Sequence, residues 1–90
     1  MREYHMDLKN IFSADDFHEL LDQTLPLPDY YGGNLDALYD VLTEQREGWD
    51  ITFSGCADAE AILGKYMKSI RKMCEKAQGE NEKLKITFVE

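Results

Sequence analysis

The sequence predicts an α/β fold in which a small, mostly parallel sheet of three strands packs against three or four helices. Three observations carry this expectation. Segments with strand character stand near the start, in the middle and at the end of the chain, and helical patterns fill both intervals between them. Each interval is long enough for a crossover, the connection that parallel neighbours require. Ninety residues suit one such domain, residues 1–90, with no room for a second; a chain of this size buries roughly 60% of its unfolded surface.

From Glu3 to Leu8 the residues alternate, Tyr4, Met6 and Leu8 on one side and Glu3, His5 and Asp7 on the other. That is the period of a strand with one buried face. Ser13 is placed to cap a helix reaching about Thr24, with Asp15 and Asp16 complementing the dipole of its first turn and Phe17, Leu20 and Leu21 on one face. Pro26 and Pro28 forbid its continuation and impose an extended connection. Gly32 and Gly33 then lead to Asn34, a good N-cap, so a second helix should begin near Leu35. At about 100° per residue, Leu35, Leu38 and Leu42 turn to the core, while Asp36, Asp40 and Glu44 share the outer arc and Tyr39 lies on the boundary.

Trp49 to Phe53 follows Gly48 as a second strand, closed by Gly55. From about Ala57 to Gln78 the pattern is helical, with Ile62, Leu63, Tyr66, Met67, Ile70 and Met73 at three- and four-residue spacings and Gly64 as a point of division into two helices. A polar turn at Gly79 to Glu82 precedes the last strand, Leu84 to Val89, rich in β-branched residues.

Charge is unevenly spread. Between Ser13 and Glu47 there are nine acidic residues and one basic residue, Arg46, so this third of the chain holds the whole formal net charge of −8. Such a balance points to a basic partner or a strongly solvated face. It opposes direct binding of nucleic acid, whose phosphates it repels, and the basic run Lys65, Lys68, Arg71, Lys72 and Lys76 reads as the solvated face of a helix. No apolar run approaches the roughly 20 residues that span a bilayer, and the N-terminus lacks the apolar core of a secretory signal. Cytoplasmic location and no membrane contact are the expectation.

Cys56 and Cys74 lack a CxxC or Cys/His spacing and are expected as reduced, part-buried thiols. His5 and His18 fall in separate elements with no third ligand at metal spacing, and are expected at the surface or an edge. No nucleotide loop, nucleophile elbow or zinc motif is present, and Asp36, Asp40 and Glu44 lack the alternating ligands of a calcium loop, so neither cofactor nor metal is expected. Two carboxylates four residues apart on an exposed helix have no second wall to enclose a substrate, which argues against catalysis. The same spacing lets one rigid element present Asp36 and Asp40 to separate cationic groups. Tyr30, Tyr31 and Tyr39 could add large flat contacts at small rotamer cost, with core packing an equal alternative for Tyr31 and Tyr39.

The run Leu27-Pro28-Asp29-Tyr30-Tyr31-Gly32-Gly33-Asn34-Leu35-Asp36-Ala37-Leu38-Tyr39-Asp40 resembles the barstar family of ribonuclease inhibitors. About sixteen residues, Leu27 to Leu42, carry the likeness; elsewhere it rests on length, element order and the final strand. The resemblance implies a barstar-like three-stranded parallel sheet with helices against it. It also implies a non-enzymatic protein, monomeric when free, that plugs the active site of a basic, barnase-like microbial ribonuclease one to one. Tyr30 would pack against the nuclease, Asp36 would face its basic residues, and Asp40 would enter the phosphate site as a carboxylate mimic of substrate. Gly32 and Asn34 would shape the loop. Tyr31, Tyr39, Thr43 and Glu44 complete the expected surface, and an acidic residue on the last helix is implied, with Glu75 the nearest candidate. The chain departs from the pattern at Tyr39, where tryptophan is usual, at Gly33, where glutamate is frequent, and after Thr43, where a proline-containing connection is missing. The other reading that the residues allow is an acidic, antitoxin-like module for a basic partner that is not a nuclease.

Overall fold

The computed structural model describes residues 1–90, ordered β1 (Arg2–Asp7), α1 (Ala14–Thr24), α2 (Leu35–Glu44), β2 (Trp49–Ser54), α3 (Cys56–Leu63), α4 (Lys65–Glu80) and β3 (Leu84–Phe88). The strands form one sheet in the order β1-β2-β3. Both pairings are parallel, with Arg2 opposite Trp49 and Trp49 opposite Leu84. The fold is therefore the expected α/β arrangement, with four helices. None of them is long and apolar enough to cross a membrane.

Local chemistry sets the boundaries. The Ser13 hydroxyl accepts from the Asp16 amide and the Asn34 side chain from the Ala37 amide, so each cap satisfies a donor that the first helical turn leaves unpaired. Gly64, at φ 56° and ψ −121°, divides α3 from α4; a side chain is strained at that backbone geometry. At Gly55 φ is 67°, and a Cβ would stand 3.0 Å from Asp7 Oδ1 and 3.1 Å from the Lys9 amide, so the chain leaves β2 only through glycine.

The core is a continuous cluster between the sheet and the helices. Met6, Ile51, Phe53, Leu84 and Ile86 contribute from the strands, Phe17 and Leu21 from α1, Leu38 and Leu42 from α2, and Met67, Ile70, Cys74 and Ala77 from α4. Leu35 and Tyr39 pack at its margin, half-buried. At the outer border of β3 the Ile86 amide donates to the Gln78 side chain, 2.9 Å away, so α4 covers part of that edge.

Three expectations need correction. His18 is buried rather than at a surface or edge, because it lies beside Phe17 and three residues before Leu21, on the inward arc of α1. Both cysteines are fully buried, not part-buried, and free; burial pushes the Cys74 thiol up to about 12 and raises that of Cys56. Arg71 is not simply solvated: it pairs with Glu90 at 2.7 Å and Glu60 at 3.5 Å and lies 5.2 Å from the Phe88 ring centroid. The pattern of α4 alone could not show the strand end and the α3 residue waiting for it.

Candidate protein-binding surface

The loop before α2 is pinned from both sides. Pro28 offers its carbonyl to the Tyr31 amide at 2.9 Å, closing a turn. Tyr31 is half-buried, and its hydroxyl meets His18 Nδ1 at 2.5 Å. The other ring nitrogen, Nε2, meets the Tyr66 hydroxyl, also at 2.5 Å. One imidazole thus joins the loop to α1 and α4. Desolvation holds the His18 pKa below its ordinary value, with Asp15 opposing, and desolvation raises both tyrosine hydroxyls.

Tyr30, the neighbour of this anchored residue, is 88% exposed. An aromatic ring held so far into water invites a contact outside the chain. Gly32, Gly33 and Asn34 are also exposed, Gly33 at φ 67°, and the Asn34 Oδ1 is occupied by the α2 cap.

On α2 the side chains of Asp36, Asp40 and Glu44 are exposed, and none takes part in an ion pair of the chain. Loop and helix enclose a cleft of about 590 Å³ whose lining includes Pro28, Tyr30, Tyr31, Asp40, Val41 and Glu44. Thr43 is half-buried and its hydroxyl donates to the carbonyls of Tyr39 at 2.8 Å and Asp40 at 3.2 Å, so it faces its own helix.

Tyr39 borders the ridge. Its hydroxyl donates to a Glu80 carboxylate oxygen, an interaction that, helped by burial, pushes its pKa up to about 12. The ammonium of Lys76 lies 5.1 Å from the ring centroid. Glu75 is not brought to this group. It is exposed on the arc of α4 shared with Arg71, four residues before, and Gln78, three residues after, both of which turn to the β3 side.

The far end of α2 is held by a residue expected only as part of a polar turn. Asn81 is 3% exposed, and its Nδ2 donates to the carbonyls of Leu42 at 2.9 Å and Gln45 at 3.0 Å. Gln45 in turn donates to the Lys83 carbonyl at 2.9 Å and accepts from the Gly48 amide at 2.9 Å. These side-chain amides tie the end of the helix to the segment before β3. Among the supports of this surface that sequence reasoning missed, Glu80, Lys76 and Asn81 left no local sign of that role, whereas His18 left one in its spacing from Leu21 and Tyr66 one in the apolar stripe of α4.

The surface gathers unpaired carboxylates and tyrosine on a stiff support. Its charge and its exposed ring suit contact with a cationic protein. The comparisons define the class. The family model described as Barstar (barnase inhibitor) matches residues 1–89, and members of that family are inhibitors, not enzymes. This chain belongs to the barstar family. It is 32% identical over 85 residues, 89% of each chain, to a Bacillus subtilis (strain 168) protein named "Putative ribonuclease inhibitor YrdF".

Proposed function

We propose that this protein inhibits a barnase-like ribonuclease by seating α2 and the Tyr30 loop in its active site, one molecule to one, within the cell that makes the enzyme. The observation that carries this reading is the freedom of Asp36 and Asp40: both are exposed, one turn apart, and unpaired within the chain. A ribonuclease must stabilise negative charge on a phosphodiester, so it concentrates cationic groups in a cleft where water is restricted. A helix bearing two carboxylates uses the same potential without offering a bond to cleave. Exposed Tyr30 adds flat contact area next to the charges.

Barnase is the reagent for the test. Wild-type protein should inhibit it in a one-to-one titration, and Asp40→Ala should weaken inhibition by about a hundredfold or more, the range for removing a charge desolvated against a cationic pocket, measured in part on this family's own complex. Glu19→Ala, exposed on α1, should change inhibition little. Equal potency of the two variants would defeat the assignment.

A further inference from the structure

The face of α4 nearest the acidic ridge is cationic. Lys72 and Lys76 stand one turn apart and share a cleft of about 360 Å³ with Leu35, Asp36, Tyr39 and Met73. Lys76 is held over the Tyr39 ring, and the Tyr39 hydroxyl is tied to Glu80 one turn further along α4. Neither lysine enters an ion pair of the folded chain, although acidic residues outnumber basic ones 18 to 10. Arg71, beside them in sequence, is ion-paired with Glu60 and Glu90. Two unpaired ammonium groups at the border of a surface that otherwise suits cations would be repelled by a pocket whose rim is cationic throughout. An acid on the rim would turn that repulsion into attraction.

We propose that Lys72 and Lys76 are specificity determinants that meet an acidic side chain on the rim of the partner's cationic pocket, on the α4 side of Asp36. The inference rests on the proposed function. The aspartates anchor the complex, and the lysines decide which nuclease of the class is accepted.

The test uses barnase with each arginine and lysine around its active site replaced singly by glutamate, and measures binding calorimetrically so that lost nuclease activity does not matter. Each form is titrated with the wild-type inhibitor and with Lys72→Met, Lys76→Met and Asp40→Ala. At least one glutamate form should bind the wild type about tenfold or more tightly than unaltered barnase does, and that gain should vanish with one of the lysine variants. Methionine keeps the apolar stem over Tyr39, so thermal unfolding of Lys72→Met should match the wild type and that of Lys76→Met should fall only slightly, for its lost contact with the ring. No gain from any glutamate form, or a gain that persists in both lysine variants, overturns the proposal. If Asp40→Ala is impaired while the coupling is absent, the lysine assignment alone is lost. If Asp40→Ala binds as the wild type does, or no form of barnase binds, the proposed function falls and the lysine assignment falls with it.

Discussion

Burial of His18 should make the anchoring of the loop before α2 sensitive to acid. Burial holds the folded imidazole's pKa below its ordinary value of 6.5, so the unfolded chain takes up a proton at a higher pH than the folded one. Above that ordinary value the ring is neutral in both states and costs nothing. As pH falls through it toward the folded value, stability is lost, and the loss levels off once the folded ring is also charged. Urea denaturation at about pH 7.5 and pH 5.5 should show a smaller difference for His18→Gln than for the wild type. An identical difference would mean that the ring is not the group responsible. Because Tyr31 shares this hydrogen bond, the loop carrying Tyr30 should loosen first.

At the scale of the elements, α2 is only as well placed as its C-terminal clamp. Helix ends leave carbonyls without intrahelical partners, and the Asn81 side-chain amide donates to three of those that follow Val41, on Leu42, Thr43 and Gln45. Asn81→Ala would strand them in the interior, with a stability loss of about 1–3 kcal/mol by urea denaturation. A loss below the scatter of such measurements would show that water replaces the amide. This clamp also marks how far sequence reasoning reaches. The limits of α1 and the start of α2 were legible because their signals are local: Ser13 and Asn34 as caps, Pro26 as a stop. The division at Gly64 was legible for the same reason. Asp36, Asp40 and Tyr30 were legible as a surface from helical spacing and the loop motif together. The contacts of Asn81, Arg71 and Tyr66 were not, because their partners lie on other elements and no periodicity states which polar residue will meet which carbonyl, carboxylate or ring nitrogen. Glu75 shows the same limit from the other side. It has the right charge on the right helix, but one residue of rotation, about 100°, separates it from Lys76 and turns it to the β3 side.

For the whole molecule, the concentration of acid in one third of the chain gives a field as well as a set of contacts. Opposed fields speed encounter, and mobile ions suppress that gain within a Debye length. Association with barnase should therefore slow by about tenfold or more between low and high salt, with dissociation changing less, as is usual for oppositely charged pairs and known for this family's barnase complex. Stopped-flow mixing across a salt series measures it, and a salt-independent rate would remove steering from the account. The exposed lysines of α4 make the field two-sided, so orientation as well as approach is biased.

Gln78 has a consequence beyond the fold of one copy. By occupying the outward amide of Ile86, with the Asn81 carbonyl taking that of Leu84, it removes two of the donors with which the β3 margin could recruit a foreign extended chain. Two copies meeting along that rim would have to pair without those two donors.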